Sequence, residues 1–337
     1  MSTRSLFNSR SISSTTSRPR TLLLTFDAFG TLFHPRQPVP EQYAATAHKF
    51  GLSRTAITPQ RLKAAFKTTF QEQVARYPNY GRAHVLLGQY GGPKQWWEEV
   101  IRGSFARSLS ENDLHDNTTT LNARGTSNTG PDSDPDLPTG LVEALVNLFA
   151  GAEGYVLYDD VAPFFARMRE LKAGPMRRFD RVIVGVVSNS DDRVPAVLKA
   201  LGLRVGDLRA DQDASSMELP GFEQRGENGS GDDFNESHQS AQSDVDLDLV
   251  ITSYEAGEEK PNRLIFDVAE RQARLLLTVI GTNWTRVHVG DDFVKDYLGA
   301  LGAGWQSYLI RRGGGEKGPR SISSMIDLIH ELELDSP

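Results

Sequence analysis

Four short stretches of this 337-residue chain carry reactive side chains, three of them directly behind apolar runs and one in a polar turn. Thr21-Leu-Leu-Leu-Thr-Phe26 runs into Asp27, and Gly30 and Thr31 follow within four positions. Val186-Val187 leads to Ser188-Asn189-Ser190, Gly257-Glu-Glu leads to Lys260-Pro261, and Val289-Gly290 leads to Asp291-Asp292, with Asp296 shortly after. A carboxylate delivered to the carboxyl end of a buried strand stands where open α/β sheets bind their ligands, which suits a nucleophile. A hydroxyl and an amide among free backbone N–H groups suit an anion. A lysine in a turn can neutralise a phosphoryl group or position a carboxylate, and a carboxylate pair at a strand end can grip a hard divalent cation. Each stretch also has a plainer reading: Asp27 as a turn cap, Lys260 as a solvated loop residue, Asp292 or Asp296 as a helix N-cap.

The elements that must position these residues follow from periodicity. The Asp27 stretch reads as a fully buried strand. After it come helical patterns at about Pro40–Phe50, Thr58–Arg76, Pro93–Leu109 and Pro138–Ala150, with no strand pattern between them. Tyr77-Pro-Asn-Tyr-Gly81 is expected as a turn-rich loop, and Trp96-Trp97 as aromatic packing between helices, with a pocket wall as the sharper alternative.

From Tyr155 the pattern alternates: helix Val161–Lys172, strand Val182–Val187, helix Arg193–Leu201, strand Leu247–Ile251, helix Pro261–Gln272, strand Val287–Val289, helix Lys295–Gly302, strand Gln306–Ile310, and a last helix near Ser323–Leu332. Strands joined by helices imply an α/β fold, a doubly wound parallel sheet with the Asp27 strand at its centre. The expected organisation is therefore a core of residues 21–35 and 155–332, with a helical insertion over 36–154.

Residues 110–139 and 211–246 are rich in Ser, Asn, Asp, Gly and Pro and are expected to be disordered insertions, because they cannot bury enough apolar surface to offset ordering entropy. Residues 110–140 hold six acids against Arg124, and 211–248 hold eleven against Arg225. Those stretches carry −15 of a net −7, so the remainder is +8, four of it in Arg4, Arg10, Arg18 and Arg20. A near-neutral folded body gives no signal for nucleic acid.

No run of 18 apolar residues is present to span a membrane. The absence of cysteine removes thiolate chemistry and fits an intracellular protein in cytoplasm or nucleus. Residues 1–20, with Arg and Ser/Thr and no acid, have the composition of a disordered tail or a mitochondrial transit peptide.

Taken together, the order and spacing of the four stretches resemble the haloacid dehalogenase superfamily of aspartate-nucleophile hydrolases. Asp27-Ala-Phe-Gly-Thr31 is similar to the first motif, Ser188 to the second, Lys260 to the third and Gly290-Asp291-Asp292 with Asp296 to the fourth. The helical insertion matches the family's cap. Tyr77–Gly81 and Gln95-Trp-Trp97 look like the subgroup of haloacid dehalogenase-like hydrolase domain-containing proteins, related to the rhythmically expressed gene proteins of insects.

The resemblance implies attack by Asp27 to form a covalent aspartyl intermediate, with Thr31 orienting the nucleophile loop. Ser188, Asn189 and Lys260 would hold a small-molecule substrate, and Mg²⁺ would sit on Asp27, the Phe29 carbonyl, Asp291 and Asp292. One position departs: Phe29 stands where family phosphatases carry a proton-donating aspartate, so phosphomonoester hydrolysis should be slow. An aromatic there also resembles the metal-independent 2-haloacid dehalogenases, which would need a cap arginine, with Arg76, Arg82 and Arg102 as candidates. A third expectation is a catalytically weak phosphate-ligand binding or regulatory protein.

Overall fold

The computed structural model describes residues 18–113, 137–210, 219–222, 245–277, 281–314 and 320–335. The N-terminal stretch before residue 18 and most of the two polar insertions lie outside these residues.

The chain opens with β1 (Arg20–Phe26), of which six consecutive residues are buried. A continuous apolar run of this kind belongs to a parallel strand covered on both faces. A three-residue strand, β2 (Phe33–Pro35), follows, then helices α1 (Val39–Lys49), α2 (Pro59–Arg76), α3 (Pro78–Leu86), α4 (Pro93–Asp113) and α5 (Leu141–Leu148). Thr58 caps α2 by accepting from the Arg61 N–H, as the Thr-Pro start suggests. Strand β3 (Tyr155–Leu157) returns antiparallel to β2. This ribbon was not expected from the sequence, because three-residue strands carry no measurable alternation.

The second half supplies α6 (Val161–Lys172), β4 (Arg181–Ser188), α7 (Val194–Ala200), β5 (Val205–Leu208), β6 (Leu247–Thr252), α8 (Ser253–Ala256), α9 (Arg263–Leu275) and β7 (Asn283–Gly290). A π-turn (Phe293–Leu298), α10 (Gly299–Gly302), β8 (Gln306–Ile310), β9 (Ser321–Ile322) and α11 (Asp327–Glu331) complete it. The sheet order is β5-β6-β4-β1-β7-β8-β9, with every pairing parallel and β1 between β4 and β7. Parallel pairing brings the carboxyl ends of β1, β4, β6 and β7 to one edge, and with them all four reactive stretches.

Both faces of the sheet are covered. Leu22, Leu24 and Phe26 pack on one side with Phe164 and Phe165 of α6, and the Phe26 and Phe164 rings meet edge-on at 5.5 Å. Leu23, Ile183, Val187 and Ile251 pack on the other side with Ile265, Phe266 and Ala269 of α9. The period of two along β1 assigns each residue to its face. Among the described residues no helix is long and apolar enough to cross a membrane.

The chain departs from its sequence pattern at three places. The Tyr77–Gly81 stretch is not simply a loop: it begins α3 and breaks it, with Asn79, Tyr80 and Gly81 at φ 45°, 59° and 75°. Two consecutive non-glycine residues in the left-handed region are costly and persist only where packing fixes them. The helix after Lys260 does not start at Pro261; Asn262 caps it, accepting from the Leu264 N–H. The expected helix over Lys295–Gly302 is a π-turn running into a short α-helix.

Candidate active site

Asp27 leaves the end of β1 with its N–H donating to the Val289 carbonyl at 2.9 Å, which ties β1 to β7 at the reactive edge. Its carboxylate meets Lys260. The Lys260 ammonium spends its three protons on Asp27 Oδ1 at 2.7 Å, Asp296 Oδ1 at 2.6 Å and the Val187 carbonyl at 2.8 Å. Lys260 is 3% exposed, so it is not a solvated loop residue.

The backbone turn that delivers Lys260 is clamped by Asn189, whose Oδ1 accepts from the Lys260 N–H at 2.6 Å and whose Nδ2 donates to the Lys260 carbonyl at 2.9 Å. Asn189, expected to bind substrate, thus has its amide engaged by backbone and works as a clamp on Lys260. Ser188 is buried at the end of β4, two residues past the Val186 that pairs with Phe26.

The fourth stretch divides its acids. Asp291 is half-buried and accepts from the Thr31 hydroxyl at 3.3 Å, so Thr31 orients Asp291. Gly30, at φ 77°, passes so near the Asp291 carboxylate that a Cβ would collide with it. Asp292, expected as a metal ligand, instead uses Oδ1 to cap the π-turn, accepting from the Val294 and Lys295 N–H groups at 2.8 and 2.9 Å. The carboxylate that joins Asp27 and Asp291 is Asp296: one oxygen from each of these three lies within 4.8 Å of the others. Adjacent acids at the start of a turn look alike in sequence, and only the handedness and pitch of the turn send one inward.

Asp296 is 1% exposed and accepts three hydrogen bonds, from Lys260 Nζ, from His288 Nε2 at 3.2 Å and from the Asp292 N–H at 2.9 Å. Burial alone would raise its pKa, but Lys260 and His288 outweigh burial and hold it below the ordinary carboxylate range. Asp27, for which Lys260 is the paired cation, is pushed up to about 6 by burial, an effect only partly offset by Lys260 and reinforced by the charge of Asp296. Burial and Asp296 also raise Asp291. Three carboxylates against one ammonium leave an excess of negative charge at the reactive edge, and hard oxygen donors of this kind fit Mg²⁺.

Phe29 projects beside this group with 37% of its surface exposed, its ring edge-on to Phe33 at 4.6 Å and to Tyr155 at 5.6 Å. Tyr155 in turn lines an apolar cavity of about 60 Å³ with Tyr43, Phe66, Trp97, Phe149 and Arg193. Trp96 packs the helices as expected, whereas Trp97 reaches the core: its Nε1 donates to Asp191 Oδ2 at 2.8 Å. Asp191 also receives Arg193 through Nε and Nη2, both at 2.8 Å, and the guanidinium lies over the Trp97 and Phe222 rings at 4.9 and 4.4 Å.

The arginine lining this cavity is Arg193 of the core, while of the three expected cap arginines Arg82 lines a second cavity, of about 280 Å³, with Gly257, Glu258 and Glu259. Sequence reasoning missed Arg193 and Asp191, which sit among ordinary loop polar residues. It also passed over His288, whose only signal was a polar residue inside an apolar strand.

A family model described as haloacid dehalogenase-like hydrolase matches residues 22–304. Haloacid dehalogenase-like hydrolase domain-containing protein 3 of Homo sapiens is 24% identical over 304 residues, covering 90% of this chain and 85% of that protein. Rhythmically expressed gene 2 protein of Drosophila melanogaster is 25% identical over 292 residues, covering 86% of this chain and 82% of that protein. Among solved structures, the magnesium-bound hydrolase YfnB from Bacillus subtilis is 15% identical with a TM-score of 0.47, covering 94% of this chain and 99% of that one. A 2-haloacid dehalogenase from Pseudomonas syringae is 16% identical with a TM-score of 0.48, covering 93% and 98%.

Proposed function

The chain belongs to the haloacid dehalogenase-like hydrolases, and from that premise we propose that it is a Mg²⁺-dependent hydrolase of a small phosphorylated substrate, using Asp27 as nucleophile and slowed by Phe29. The observation that carries this reading is the buried Lys260 ammonium held between Asp27 and Asp296 at the carboxyl edge of the sheet, with Asp291 beside them. A buried carboxylate fixed by a fully engaged ammonium is oriented for attack without being neutralised by solvent.

In the proposed reaction an Asp27 oxygen attacks phosphorus, the bond from phosphorus to the leaving oxygen breaks, and water then cleaves the aspartyl phosphate. Ser188 and backbone N–H groups at the end of β4 hold the transferring group, and Lys260 keeps the Asp27 carboxylate in line. Asp27, Asp291 and the Phe29 carbonyl would hold Mg²⁺, which supplies charge neutralisation at the phosphoryl oxygens. Asp296 serves as the counter-charge of Lys260, since both its oxygens already accept hydrogen bonds.

Phe29 has no proton to give the departing alkoxide, a loss of roughly 10² to 10⁴ in rate. Esters with good leaving groups should therefore be preferred. The helices α1 to α5 act as the cap, and the substrate is a small molecule of the cell interior rather than nucleic acid or membrane.

A second reading, metal-independent cleavage of a 2-haloacid, is favoured by one observation: the Phe29, Phe33 and Tyr155 rings lead to an apolar cavity, and a departing halide needs no proton. Turnover of phosphate esters and 2-haloacids, with and without Mg²⁺, by wild type and Asp27→Asn separates the two. Mg²⁺-dependent ester hydrolysis lost in Asp27→Asn is expected. Metal-independent halide release would replace the first reading with the second. Absence of Asp27-dependent turnover on either panel would leave a phosphate-ligand binding or regulatory protein.

A further inference from the structure

His288 lies near the carboxyl end of β7, fully buried, and its ring bonds at both nitrogens. Nε2 is 3.2 Å from Asp296 Oδ1, and Nδ1 is 2.9 Å from the Thr25 hydroxyl. Thr25 pairs in register with His288 across β1 and β7, two residues before Asp27. The groups facing the ring are Asp296 from the π-turn, Lys260 from the turn before α9, Thr25 from β1, and Phe266 of α9, edge-on at 5.2 Å.

The chemistry of the partners fixes the tautomer. Asp296 is held ionised by its donors and can only accept, so the imidazole proton sits on Nε2. Burial keeps the ring neutral, which leaves Nδ1 as an acceptor, and the Thr25 hydroxyl must donate to it. A closed ring of contacts results: Thr25 to His288, His288 to Asp296, Lys260 to both Asp296 and Asp27, and Asp27 back along β1 to Thr25.

Asp296 Oδ2 is held by the Asp292 N–H, and His288 is the second donor to Oδ1 beside Lys260, so the imidazole fixes the direction in which Oδ1 meets the ammonium. We infer that His288, in its Nε2–H tautomer, is a positioning residue that acts through Asp296 and Lys260 to set the direction of the Asp27 carboxylate. The inference rests on the reading of Asp27 as nucleophile, but the geometry it asserts can be measured without turnover.

The test uses the full chain with ¹⁵N-labelled histidine and lysine. Wild type should show His288 protonated at Nε2 and not at Nδ1, together with a slowly exchanging Lys260 ammonium signal. In His288→Leu, where Thr25 can turn its hydroxyl to the Val287 carbonyl 3.3 Å away, that ammonium signal should broaden or vanish while the melt stays cooperative. In His288→Gln, whose amide N–H can reach toward Asp296, it should return. Where Asp27-dependent turnover is present, kcat should fall about tenfold in His288→Leu with KM within twofold, and recover to within about threefold in His288→Gln. A proton on Nδ1, an unchanged Lys260 signal in His288→Leu, or a glutamine variant as impaired as the leucine variant would overturn the inference. Loss of Asp27-dependent turnover in wild type would strike the functional reading alone, because the NMR outcomes stand apart from it.

Discussion

Two buried ion pairs lie near the reactive edge, and they are built to opposite ends. Arg193 meets Asp191 one to one, through two parallel hydrogen bonds, and the pair is closed over by the Trp97 and Phe222 rings. Lys260 meets two carboxylates at once, with a third, Asp291, close by. The first group is balanced in charge, one guanidinium to one carboxylate. The second carries unneutralised charge, which costs folding energy and persists where a ligand or a reaction uses it. Burial is common to both; the charge ratio distinguishes the group proposed to react from the one that ties helices to sheet.

The largest break in this contrast is Lys260→Met. It leaves Asp27 and Asp296 buried without their cation, so stability should drop by about 3–5 kcal/mol and turnover should be lost. Denaturant melts and assays below the melting range read the two effects. Asp191→Asn should cost a similar 3–5 kcal/mol by orphaning Arg193, yet leave kcat of the folded fraction within about threefold, since Asp191 touches neither Asp27 nor Lys260. A large kcat loss there would erase the distinction between the two pairs.

A gain is expected from Phe29→Asp, which supplies the missing proton donor: ester hydrolysis should rise by roughly 10- to 100-fold, most for poor leaving groups. Equal effects on good and poor leaving groups would argue against proton donation. Trp97→Phe removes one donor to a charged acceptor and should cost about 1–3 kcal/mol, seen as a lowered melting temperature with kcat unchanged.

The smallest effect is a titration. The Asp27 carboxyl is raised above its ordinary 3.8 to about 6. As pH falls, the folded chain therefore takes up this proton before the unfolded chain does. From this group, stability grows from pH 6 down to about 4, while the ionised form of the proposed nucleophile is depleted about tenfold per unit below 6. Asp191 behaves in the opposite sense: burial is outweighed by Arg193 and Trp97, its pKa is depressed, and its contribution is lost only as pH falls through that lowered value. NMR titration of metal-free protein should show Asp27 moving near 6 and shifting down with Mg²⁺. A midpoint near 4 without metal would remove the asymmetry between the pairs.

Much of this was legible in the order of residues, though unevenly. The apolar runs before Asp27 and Ser188 are continuous because their strands are buried on both faces, and parallel pairing then forces those residues, with Asp291 after β7, to a common edge. Helix α6 has the bounds its pattern predicts, Val161–Lys172, since its apolar spacing is long and regular. Strands β2, β3 and β9, at two or three residues, carry too little pattern to be read.

What the sequence determined by itself, then, is which backbone segments end at the reactive edge and which residue types arrive there, because strand burial and helix periodicity are local consequences of side-chain order. The partnerships were decided by tertiary structure alone. Asp296 rather than Asp292 turns inward, Asn189 clamps a lysine 71 residues away, Trp97 bonds an aspartate 94 residues away, and His288 finds Asp296 through a π-turn. Each depends on which oxygen or nitrogen lies within about 3 Å once the core has packed, and hydrogen bonding at that range has no period along the chain.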